Sequence, residues 1–72
     1  MNLKNLNQSI RQTTYAMLNR SRRPLDSRKV AKLISARFQT SIFRVWGNIS
    51  YMEKTGVIRF VSKKSGGPSY VA

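Results

Sequence analysis

The chain has no cysteine and no histidine, and only two acidic residues, Asp26 and Glu53, among its 72. Without cysteine there is no disulfide framework and no thiol nucleophile. Without either residue type there is no zinc finger, and without histidine no imidazole base. Paired-carboxylate chemistry would require Asp26 and Glu53 to meet, and both have structural uses given below. A Ser/Lys pair survives the count, but so short a chain has no room for a pocket with a supporting shell. An enzyme is not expected, nor is a metal, a cofactor or a small-molecule ligand. No apolar run approaches the roughly 18 residues of a membrane-spanning helix. The start, Met1-Asn2-Leu3-Lys4-Asn5-Leu6, lacks the apolar stretch of a signal peptide, so a cytoplasmic location is expected.

What the chain has in excess is positive charge. Fourteen Lys and Arg give a formal net charge of +12, and the pI is about 11.6. Hydrophobic residues make up 40%, enough for one modest core and too many for a disordered tail, so residues 1–72 read as one domain. The charge points to a polyanionic partner: DNA, RNA or an anionic membrane surface. The membrane fits worst, because the basic residues are not set opposite one continuous apolar face.

The spacing of apolar residues predicts three helices and a hairpin. Leu3, Leu6, Ile10, Thr13 or Thr14, and Met17 recur three or four apart, which predicts a helix over about residues 5–19. Asn5 followed by Gln8 reads as its capping box, and Arg11, Gln12 and Tyr15 fall on its far face. Asp26 is a strong N-cap for a second helix with Val30, Ala31, Leu33, Ile34 and Phe38 inward, while Arg28, Lys29 and Lys32 cluster opposite. Pro24 holds the chain before it extended. The third helix runs from residue 40 or 41 to about 55, with Ile42, Val45, Ile49 and Met52 inward and Trp46 at the boundary. Gly56 suits a left-handed C-cap. Val57 to Val61 then reads as a strand, residues 62–68 as a flexible tip, and residues 69–72 as the return strand.

Three stretches carry a family resemblance that covers nearly the whole chain. Arg23-Pro24-Leu25-Asp26-Ser27-Arg28-Lys29-Val30-Ala31-Lys32-Leu33-Ile34 is similar to the start of the second helix in winged helix-turn-helix domains. Val45, Ile49, Met52-Glu53-Lys54 and Gly56-Val57-Ile58 are similar to the end of that family's recognition helix and its first wing strand. Tyr70-Val71 resembles the second wing strand. The resemblance implies an α+β fold, mainly α: three helices and a C-terminal two-stranded β-hairpin wing, with Leu25 as a single extended residue paired to it. It also implies duplex DNA as partner, a recognition helix at about 41–55 in the major groove, and a wing at 62–68 on backbone or minor groove. Ser35-Ala36-Arg37-Phe38-Gln39-Thr40 departs from the pattern by lacking the usual turn glycine, which predicts a longer turn. Gly47, inside the third helix, is either tolerated or placed for close approach of DNA to the backbone.

On that reading the third helix presents Phe43, Arg44, Gly47, Asn48, Tyr51 and Lys54 outward. Arg grips guanine and Asn grips adenine with paired hydrogen bonds, so Arg44 and Asn48 are the leading base contacts. Phe43 meets a thymine methyl or covers the core edge, and Gly47 completes the base-facing set. Arg22, Arg23, Arg28, Lys29, Lys32, Arg37, Thr40, Ser41, Tyr51 and Lys54 are candidate phosphate contacts. Lys63, Lys64, Ser65 and Gly66 form the wing tip. Asp26 is left as a cap and Glu53 as a local ion-pair partner.

The expected function is sequence-specific duplex-DNA binding by a small transcription regulator, working as a homodimer or cooperatively with a partner. Leu3, Leu6 and Tyr15 are the candidate dimer contacts. Dimers on one face of DNA need half-sites about 34–36 Å apart. A stand-alone domain of this size suits a phage or plasmid genome. Two alternatives are an architectural DNA-binding role in replication, partition or recombination, and a structural RNA-binding role of the ribosomal type.

Overall fold

A computed structural model describes residues 2–21, 23–64 and 67–72, with side chains described outside residues 62–68. Along the chain run α1 (Leu3–Arg20), β1 (Leu25–Asp26), α2 (Ser27–Phe38), α3 (Ile42–Lys54), β2 (Arg59–Lys64) and β3 (Gly67–Val71). The fold is α+β and mainly α: three helices with a small antiparallel sheet in the order β1-β3-β2. The sheet therefore has three strands rather than the two of the expected hairpin. Leu25 pairs with Tyr70 and Asp26 with Ser69, so the extended residues before α2 form its third strand.

Each helix begins on a side-chain oxygen that accepts otherwise unpaired amides of the first turn. For α1 that residue is Asn2, not Asn5: Asn2 Oδ1 accepts from the Asn5 amide at 2.8 Å, and the helix starts two residues before the predicted position. Asp26 caps α2 as predicted, accepting from the Arg28 amide at 2.9 Å. Ser41 caps α3, its Oγ accepting from the Phe43 and Arg44 amides.

Both inner helices end in the same way. At the end of α3, the Gly56 amide donates to the Glu53 carbonyl and the Val57 amide to that of Met52, closing a Schellman turn on Gly56 at φ +81°. At the end of α2, the Gln39 amide donates to the Ala36 carbonyl and the Thr40 amide to that of Ser35. Gln39 sits at φ 51°, ψ 48° in the place glycine usually takes. The absent glycine thus leaves the turn short: residues 39–41 connect the helices. The cost is a left-handed residue with a Cβ, about 1–2 kcal/mol.

The core joins Ile10 and Leu18 of α1, Val30, Ala31 and Ile34 of α2, Val45, Ile49 and Met52 of α3, and Ile58 and Tyr70. Three expected core positions are corrected. Leu33 is 62% exposed, because the buried stripe of α2 runs through Val30, Ala31 and Ile34 on its other side. Leu3 is exposed at the start of α1, and Leu18 rather than Met17 closes the stripe, with Met17 half-buried beside it. Trp46 packs at the core boundary, as expected.

The β2–β3 ladder is longer than expected. It continues to Lys63↔Pro68 and Lys64↔Gly67, so much of the predicted flexible tip is paired strand. Ser65 and Gly66 lie outside the described residues. Strand β2 starts at Arg59, since Val57 and Ile58 are taken up by the turn that ends α3. A register shift between Phe60 and Ser62 marks a bulge at Val61.

Tyr70 ties the hairpin to the helices. It is buried in β3, meets Phe60 edge-on at 6.0 Å between ring centroids, and donates its hydroxyl to Glu53 Oε1 at 3.1 Å. Glu53, expected as an ion-pair partner, serves here as the acceptor for Tyr70. Burial first, then the hydrogen bond to Glu53 and its charge, raises the Tyr70 pKa above its ordinary value. The folded state therefore holds this proton more tightly than the unfolded chain. The contribution is full below about pH 10, the unfolded value, and is lost as pH rises through the raised folded value. Tyr70→Phe is expected to lower the urea midpoint at pH 7 and to flatten the alkaline fall. Parallel falls in both proteins above pH 10 would exclude Tyr70 as the cause.

Candidate nucleic-acid interface

The face of α3 turned from the core carries Phe43, Gly47, Ser50, Tyr51 and Lys54, all exposed. Phe43 is 80% exposed at the first turn, which removes core cover as its role. No atom outside the local helix lies within 4 Å of a Cβ built on Gly47, so nothing in the folded chain requires glycine there. Gly47→Ala is accordingly expected to stabilise the fold by about 0.5–1 kcal/mol, read from urea unfolding. If the same variant loses DNA affinity, the glycine serves a closely approaching partner; unchanged affinity means that it is only tolerated.

On one flank of this face lies α2. Arg28, Lys29 and Lys32 are exposed and line a groove with Asp26, Ile42 and Trp46. Three of the predicted phosphate contacts are thus brought together beside the start of α3. Ser41 is exposed there with its Oγ engaged as the α3 cap, and Thr40 is half-buried in the turn. Arg37 is not part of this cluster. It faces α1, lining a separate groove with Gln12, Thr13, Ala16, Met17 and Arg20. Arg23 is exposed before β1, while Arg22 lies outside the described residues. Lys63 and Lys64 stand at the far end of the ladder by backbone position.

On the other flank lies α1, and here the sequence reading is corrected. Asn48, expected to point outward, is 8% exposed. Its Nδ2 donates to Asn7 Oδ1 at 3.1 Å, joining α3 to α1, and to the Arg44 carbonyl of its own helix at 2.9 Å, so both of its amide protons are used within the fold. Arg11, placed on the far face of α1, lies instead against α3. Its guanidinium carbon is 4.7 Å from the Tyr51 ring centroid, and Nε donates to the Asn7 carbonyl at 3.3 Å. Asn7, Arg11, Arg44, Gly47, Asn48 and Tyr51 together line an open polar groove. Arg44 is half-buried at its edge.

Asn7, Arg11 and Ser50 were missed in the sequence. Ser50 was within reach of the helical wheel, three residues from Gly47. Asn7 and Arg11 were not, because their contacts lie with α3 and leave no local signal. Among the described residues no group of three or more acidic residues gathers into a metal site. Among the same described residues no helix is long and apolar enough to cross a membrane. Compared with protein-family models, curated proteins and solved structures, the chain matches none.

Proposed function

We propose that this chain is a winged helix-turn-helix domain that binds duplex DNA site-specifically and acts as a small transcription regulator. In this reading α3 enters the major groove, α2 meets phosphates, and the hairpin reaches the backbone or the adjacent minor groove. The observation that carries it is the outer face of α3: free of core duty and bordered on one flank by Arg11 and Arg44 and on the other by Arg28, Lys29 and Lys32. Of the two acids, Asp26 is occupied in capping α2 and Glu53 in holding Tyr70. A helix with side chains is about 10–12 Å across and the major groove about 12 Å wide, so the flanks meet the groove walls. The domain acts by occupying a site, not by chemistry.

The internal use of Asn48 favours a second reading, an architectural DNA-binding protein. With that amide engaged, Arg44 and Phe43 remain as the direct base readers, and fewer readers make a lower specificity ratio.

Selection from random duplex DNA at about 150 mM salt, with structured RNA as competitor, separates these readings. The site-specific regulator is expected to enrich one motif, repeated at a helical-turn spacing if dimers bind. Retained duplex without a motif would replace it by the architectural reading. Preference for the RNA would overturn both.

A further inference from the structure

Arg11 has no role in a domain whose DNA contacts come from α2, α3 and the wing. Yet its placement is specific. The Tyr51 ring lies beneath its guanidinium at 4.7 Å, and Nε is fixed by the Asn7 carbonyl. The Asn48–Asn7 bond spans 41 residues of sequence and joins α1 to α3 beside it. Arg44 lines the same groove, which contains no carboxylate. The groove therefore carries positive charge from both residues with no acidic side chain in its lining, which favours an anionic ligand.

We infer that Arg11 is a phosphodiester clamp, held ready by Tyr51 and Asn7, that grips one strand of the duplex from α1 while Arg28, Lys29 and Lys32 grip the other from α2. This inference rests on the duplex-DNA reading. A guanidinium presents a planar fork that matches two phosphate oxygens. Fixing it on an aromatic ring before binding removes rotamer freedom that docking would otherwise have to remove. The two basic grooves lie on opposite flanks of α3, so a helix seated in the major groove sets one against each wall. The clamp positions α3 and reads no sequence, because phosphates are the same at every step.

The test uses the full chain with Arg11→Met, Arg11→Lys and, as a control of equal charge loss, Arg20→Met. Arg20 lies in the α1–α2 groove with Arg37, away from the clamp. Binding to random-sequence duplex is measured from about 50 to 300 mM salt; Arg11→Met is expected to flatten the log–log salt slope by about 0.9. It should also weaken binding severalfold on every sequence. Arg20→Met should leave the slope alone. Arg11→Lys should keep the slope and still bind more weakly, since an ammonium lacks the fork. Neutral methylphosphonates placed singly in the selected site then locate the contact. Arg11→Met should remove sensitivity at one phosphate of one strand, and Lys32→Met at a phosphate of the other. Wild-type slope in Arg11→Met, or sensitivity lost on both strands alike, would overturn the clamp while leaving the DNA reading intact. Failure of the unsubstituted chain to bind duplex would overturn the DNA reading itself, and the clamp with it.

Discussion

Ile49→Ala is expected to remove about 3 kcal/mol of stability, within the ~2–5 kcal/mol range for truncating a buried isoleucine. Ile49 is almost fully buried in α3 and shares one small internal space with Thr14 and Leu18 of α1, Val30 of α2, and Ile58 and Tyr70. The lost methyls leave a cavity at the point where three helices and the sheet meet. Neighbours held on separate elements have little freedom to collapse into it. A domain of this length has a total stability of about 4–11 kcal/mol at ~0.05–0.15 kcal/mol per residue, so the loss is a large share. The melting temperature should fall by about 12–24 °C, at ~4–8 °C per kcal/mol. Under the DNA-binding proposal, added duplex recovers part of the loss, because a ligand of the folded state favours it. A loss under about 1 kcal/mol in urea unfolding would mean that α3 is not seated on Ile49, and its outer face would have to be reassigned.

Where a single residue determines a local event, the event was legible. Asp26 marks the start of α2 because its carboxylate meets an amide two residues on. Gly56 marks the end of α3 because it takes a conformation that side chains resist. The stripe Val45, Ile49 and Met52 gives the inward side of α3 at helical spacing. What was not legible depends on neighbours distant in sequence. A wheel that sets Ile42, Val45, Ile49 and Met52 inward turns Asn48 outward and does not say that Asn7 waits there to accept its amide. It places Arg11 away from the core stripe but does not say that Tyr51 of another helix lies beneath it. Gln39 was misleading for another reason: the missing glycine suggested a longer turn, whereas the two carbonyl bonds of the Schellman turn hold a strained residue in a short one. In the hairpin, Gly and Pro marked a reversal correctly but not its extent. Pro68 remains in the ladder at a point where β1 has already stopped, so β3 has one neighbour there and tolerates the missing amide.

These corrections shift the expected base readout onto one residue. With Asn48 buried and Gly47 bearing no side chain, Arg44 and Phe43 remain from the set read in the sequence. Phe43 can sense a thymine methyl by contact, but only Arg44 can pair with a base edge through two hydrogen bonds. Its backbone is held on both sides: its amide donates to Ser41 Oγ at 3.4 Å and its carbonyl accepts from Asn48 Nδ2 at 2.9 Å. Truncating the side chain therefore leaves the helix in place. Arg44→Ala is expected to weaken binding to the best site by about 1–3 kcal/mol, roughly 5- to 150-fold, and to relax preference at one base position. Random duplex should lose much less. Arg11→Met in the same groove should behave oppositely, weakening all sequences alike. Two neighbouring arginines are thus separated by the pattern of loss and not by its size. Competition binding against a set of single-base variants reads that pattern directly. Uniform weakening by Arg44→Ala would make it a second phosphate contact. Site-specific recognition would then rest on Phe43 alone, and the architectural reading would become the stronger one.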